Sequence, residues 1–191
     1  MVRFGAALLL LLSWRGLAEE TVVLFAPMNE SVVAPGNLRV VGKAAGKAEL
    51  LLDGKAVRFE SPAPGVVHAE LKPGPGLHEL LLKGEGGEAK AAFFSGKEHG
   101  GWKMFRPHPP IEGIGCDTCH AVKNGEWAMK RATLSPICHT CHDLPAFPRI
   151  HTHDTGTLAD CQNCHYPHGS TAKGNLRAAR EVVCRQCHDL Q

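Results

Sequence analysis

The chain has 191 residues, with 21 Lys and Arg against 19 Asp and Glu and a formal net charge of +2 when histidine is neutral. That balance, with no basic block or stripe along the chain, excludes a nucleic-acid partner held by charge. The length allows one or two domains, and eight cysteines confined to the stretch from Cys116 to Cys187 argue for two of different chemistry.

The N-terminus opens on Arg3, an apolar run from Phe4 to Leu12, and small residues at Gly16 and Ala18 before two acids. This is the pattern of a secretory signal peptide over residues 1–18, cut after Ala18. The apolar run is well short of the ~20 residues a spanning helix needs, and no later run reaches that length. A periplasmic or extracellular address without a transmembrane anchor is therefore expected. Removal of Arg3 and Arg15 leaves 19 basic against 19 acidic residues, a neutral mature polypeptide.

Residues 19–97 read as strands: 21–27, 37–44, 48–60, 65–71, 77–84 and 88–95 are short β-rich runs separated by turn residues. Their spacing predicts an all-β sandwich. Asp53-Gly54 marks a hairpin inside the third run, and Pro73 to Gly76 is a further turn. A strand, a DGK turn and then an L…G…H.L.L run resemble bacterial immunoglobulin-like modules, and that resemblance implies the sandwich rather than any chemistry. His68 and His78 fall inside strands and are expected to be packed or solvent-facing. Residues 99–109, rich in Gly, Pro and aromatics, form a connector into a second domain at 98–191.

The second domain carries CDTCH, CHTCH, CQNCH and CRQCH. Their cysteines are Cys116 and Cys119, Cys138 and Cys141, Cys161 and Cys164, and Cys184 and Cys187. C-x-x-C-H is the attachment signature of c-type haem: each thiol adds to a porphyrin vinyl group and the next residue turns its imidazole under the ring. A zinc ribbon also uses paired C-x-x-C, and a secreted chain uses paired cysteines as disulfides. Neither gives a reason for His120, His142, His165 and His188 directly after the second cysteine. Four covalent haem c groups, each holding iron, are expected to serve as the core of a loop-rich, partly helical domain, with helices over 125–135 and 175–188.

The domain also repeats. His108 precedes Cys116 by eight positions and His153 precedes Cys161 by eight; both halves close on CHDL. A two-haem unit is thus used twice, at 108–144 and 153–190. HPPIEGIGCDTCH and CQNCHYPHGS resemble the doubled-CxxCH multihaem cytochromes c. That resemblance implies distal iron ligands at His108, His153 and His168. Lys123 stands where the first half would repeat His168, so one distal ligand is unassigned. His151 is the first candidate and His99 the next; Met104, Met129, Lys123 or a ligand from a neighbouring molecule are the remaining sources. His139 points away from its own ring, exposed or bonded to a propionate.

Bis-histidine iron has no open position, which points to a low-potential electron relay serving redox partner proteins. Two readings of the β module stand: a spacer, or an assembly surface that stacks subunits into a haem filament. A competing class is a multihaem reductase of nitrite, hydroxylamine or sulfur compounds with one open iron.

Overall fold

A computed structural model describes residues 22–108, 115–142, 153 and 160–189. The signal peptide expected at 1–18 lies outside the described residues.

Strand β1 (Val22–Ala26) pairs antiparallel with β3 (Leu38–Ala44), which pairs antiparallel with β6 (Val66–Leu71), making a three-stranded sheet. Against it lies a six-stranded sheet. Its members are β2 (Ser31–Val33), β4 (Glu49–Leu52), β5 (Lys55–Ala56), β7 (Gly76–Gly84), β8 (Gly87–Ser95) and β9 (Lys103–Met104), in the order β5-β4-β7-β8-β2-β9. The pairs β2–β8 and β2–β9 are parallel; the rest are antiparallel. Alternation drives this layering, since residues two apart share a sheet face. In β3, Leu38, Val40 and Ala44 turn inward while Arg39 and Lys43 turn out; Leu80 and Leu82 of β7 and Phe93 of β8 meet them from the other layer. Each such Leu, Val or Phe side chain, fully withdrawn from water, contributes about 1.5–3 kcal/mol. The result is the predicted all-β sandwich.

The hairpin expected at Asp53-Gly54 forms between β4 and β5, with both residues at positive φ (51° and 74°), as a two-residue turn between twisted strands requires. The three-residue β2 was not anticipated. It is too short for alternation to register, and its partners lie far along the chain.

The segment after residue 97 is more than a connector. β9 adds to the six-stranded sheet, and Phe105 is buried in the sandwich core with its N–H donating to the Val32 carbonyl at 2.7 Å. β10 (Arg106–Pro107) follows at once and pairs antiparallel with β13 (Gly169–Ser170), a segment from the cysteine-rich half.

In that half, the helix expected over 125–135 is not formed. β11 (His120–Lys123) and β12 (Glu126–Met129) make a hairpin there, turning at Asn124-Gly125 with φ of 54° and 79°. Helix α1 is limited to Ser135–Cys138, and α2 spans Arg180–Arg185 rather than 175–188. Gly174 and Asn175 sit at positive φ (70° and 54°), where a right-handed helix cannot run.

Candidate haem attachment sites and axial ligands

Three of the four C-x-x-C-H segments fold the same way. His142 N–H donates to the Cys138 carbonyl, His165 to Cys161 and His188 to Cys184, each at 2.9 Å. One helical turn between first cysteine and histidine brings both thiols and the imidazole to one side of the chain. α1 ends at Cys138 and α2 enters Cys184, while the third turn is a 3₁₀ turn at Cys161–Asn163 capped by Asp160, whose carboxylate accepts from Gln162 N–H at 3.0 Å. The first segment differs: Cys116–Thr118 is a 3₁₀ turn and His120 opens β11.

All eight thiols stand free. Among the described residues no three of His, Cys, Asp and Glu converge as ligands of one ion. The thiols of successive segments instead adjoin. Cys119 lies within reach of the charge of Cys141, Cys138 within hydrogen-bonding range of Cys161, and Cys164 near Cys184 and Cys187. Burial, with Cys161 beside it, pushes the Cys138 thiol up to about 12; burial likewise raises Cys119 and Cys164. Ser135 and Cys161 share a hydrogen bond of 3.1 Å.

The imidazoles supply the test of fit to iron. Two rings bound through ~2 Å metal–nitrogen bonds on opposite faces of one metal stand with their centres ~6 Å apart. His120 and His168 stand 6.2 Å apart and nearly coplanar in orientation (4°), His108 and His142 6.1 Å apart at 79°, and His153 and His188 6.0 Å apart at 42°. Each pair joins one histidine of a C-x-x-C-H segment to one from outside such a segment. The residues present therefore fit a haem iron with two axial imidazoles.

Local packing keeps the first pair neutral, the form in which imidazole binds a metal. Burial pushes His168 down to about 4, with the His120 and His108 rings adding to it; burial also lowers His120. Trp127 of β12 stacks on His120 at 5.1 Å and Phe25 of β1 lies 5.3 Å from the His168 ring. Neither aromatic was anticipated. The Asn-Gly pair at 124–125 was the available signal for the hairpin that carries Trp127.

The fourth segment histidine, His165, holds the Gly174 carbonyl with Nδ1 at 2.8 Å, which orients the ring and leaves Nε2 for a metal. No second imidazole faces it among the described residues, and His151 lies outside them. His99 is occupied elsewhere, stacked on Phe94 at 4.6 Å and edge-on to Trp102 at 4.9 Å. Lys123 Nζ donates to the Met129 carbonyl at 2.9 Å, while His139 Nδ1 lies 2.9 Å from the His142 carbonyl. Met104 and Met129 stand in β9 and β12.

Residues 153–191 match the family described as the doubled CXXCH motif. No curated protein matches the chain. Among solved structures, the fibronectin(III)-like modules of Clostridium thermocellum CbhA align at 22% identity over 39% of this chain and 94% of that chain, with a TM-score of 0.33. No described helix is long and apolar enough to cross a membrane.

Proposed function

From a chain that carries the doubled CXXCH motif of the multihaem c-type cytochromes, we infer an electron-transfer relay of four haems that acts outside the cytoplasm at low potential. The observation that carries this reading is the set of three imidazole pairs at 6.0–6.2 Å. In this reading the proximal ligands are His120, His142, His165 and His188. Their partners are His168 for the first, His108 for the second and His153 for the fourth.

Covalently held haem supplies an iron that cycles between ferric and ferrous. The chain's own groups determine how that iron behaves. The pairs His120 with His168, His108 with His142 and His153 with His188 would each hold one iron between two imidazoles and keep substrate from it. Histidine in place of methionine on the distal side withholds a ligand that raises the potential. The adjoining thiols support a relay, because they set the attachment points of successive haems side by side, first to second, second to third and third to fourth. Electron tunnelling falls steeply with distance, so such adjacency favours transfer along the order of the sequence.

The test is the ferric spectrum of the purified holoprotein together with its haem content by mass. Four haems and low-spin irons are expected, with potentials below those of a Met/His cytochrome c. His168→Ala and His108→Ala are each expected to convert one iron from low-spin to high-spin with haem content unchanged. Positive potentials throughout, or no change of spin state in either variant, would refute the assignment. The competing reading is a reductase in which one iron, that of His165, is open. Wild-type protein would then show one high-spin iron whose spectrum shifts with added nitrite or cyanide.

A further inference from the structure

Two of the histidines assigned to distal positions lie at one end of a single two-rung ribbon. β10 and β13 pair as Arg106 with Ser170 and Pro107 with Gly169. The next position on one strand is His108, and on the other it is His168. The two rings face different partners, His142 and His120, from the same end of the ribbon.

The ribbon is built on the β sandwich. Phe105, immediately before β10, is 6% exposed within the sandwich core, and its N–H is fixed to Val32 of β2. Gly169 lies flat against that anchor. A Cβ there would sit 2.6 Å from the Arg106 carbonyl oxygen, 2.7 Å from Phe105 Cζ and 2.7 Å from Pro107 Cα, and its φ of +128° is one that L side chains rarely adopt. Two of those three obstacles are backbone atoms, which cannot swing aside as a side chain can, so glycine is required for the approach. Next to it on the same strand, Ser170 is fully buried; its hydroxyl donates to the Leu176 carbonyl at 2.5 Å and accepts from Ala172 N–H at 3.0 Å. Phe25, from the opposite sheet of the sandwich, packs on the His168 ring.

We propose that the β module is a positioning element for two irons at once, holding His108 and His168 through the β10–β13 ribbon, with Gly169 and Phe25 as its positioning residues. This rests on the reading of His108 and His168 as distal ligands. It departs from a spacer role, because a spacer has no reason to bury one core phenylalanine under a glycine next to a ligand. The arrangement gives the sandwich a function in ligand geometry: it holds both imidazoles in place.

The experiment uses the full holoprotein and low-temperature electron paramagnetic resonance of the ferric state, with haem content checked by mass. Gly169→Ala is expected to retain all attached haem and to turn one or two low-spin irons high-spin, the same species lost in His108→Ala or His168→Ala. Phe25 is 40% exposed, so Phe25→Ala is expected to fold and to shift the g values of the species lost in His168→Ala alone, with Phe25→Tyr restoring them. Should Gly169→Ala not fold, the Phe25 pair decides. Low-spin signals that superimpose on wild type in every folded variant would overturn the proposal. If instead His108→Ala and His168→Ala themselves leave every low-spin species in place, the ligand assignment falls, and the positioning role with it.

Discussion

His78 shows how a strand histidine with no role at a metal is held by its own charge. Its Nδ1 lies 2.7 Å from an Asp53 carboxylate oxygen and its Nε2 2.8 Å from the Gly74 carbonyl, while the ring stacks on Phe93 at 5.3 Å. Two acceptors on two ring nitrogens demand two donors, so the bonded form is the imidazolium. Burial lowers the pKa, but Asp53 and Gly74 outweigh it and the net shift is upward from 6.5. For Asp53 burial raises the pKa, and the bonds from His78 and from Glu79 N–H outweigh that, giving a net shift downward from 3.8. The raised histidine contributes stability that is full below 6.5 and lost as pH climbs through its folded value. The lowered aspartate contributes stability that is full above 3.8 and lost as pH falls through its folded value. His78→Gln is therefore expected to lower the melting temperature most between those two ordinary values, by roughly 2–4 °C for a partly exposed pair. Differential scanning calorimetry from pH 3 to 9 checks this; a deficit that grows steadily above pH 7 would contradict it.

At the scale of elements, legibility followed length and alternation. The longer strands of the sandwich could be read because apolar residues recur every second position, as in Leu38, Val40 and Ala44. β2, β9, β10 and β13 could not, because two or three residues carry no period and their partners are remote in sequence. The C-x-x-C-H segments were legible as local chemistry, whereas the pairing of His168 with His120 needed the tertiary fold. The error at 125–135 has a physical cause. Glu126, Ala128, Met129, Lys130 and Arg131 are good helix formers, but Asn124-Gly125 accepts positive φ at both central positions and closes a hairpin first. Replacing Asn124-Gly125 by Ala-Ala keeps helix propensity and removes that tolerance. The cost expected is about 1–2 kcal/mol per residue forced left-handed. Because Trp127 stacks on His120, the same variant is expected to broaden the spectroscopic signature of the haem that the proposed ligand set assigns to His120. Denaturation midpoints and resonance spectra equal to wild type would show that the hairpin does not depend on its turn.

On the scale of the whole molecule, the sandwich and the haem-bearing half are joined by more than a peptide link. β9 and Phe105 belong to the sandwich, β10 belongs to the ribbon, and Phe105 directly adjoins Arg106 with no residue between these roles. A defect in the sandwich core should therefore be felt at irons it does not touch. Phe93 is fully buried in β8, and its truncation to alanine is expected to cost about 3–5 kcal/mol. If the ribbon holds His108 and His168, Phe93→Ala lowers the temperature at which the low-spin signals of their two irons disappear, together with the far-ultraviolet signal of the β sheets. The iron assigned to His153 and His188, whose ligands lie outside the ribbon, is expected to retain its low-spin signal to a higher temperature. Following both spectra during one thermal ramp separates the cases. Coincident loss of β structure and of only the ribbon-held low-spin species is the expected result. If β structure melts early while every low-spin species persists to its wild-type temperature, the two halves are independent and the ribbon carries no ligand geometry from one to the other.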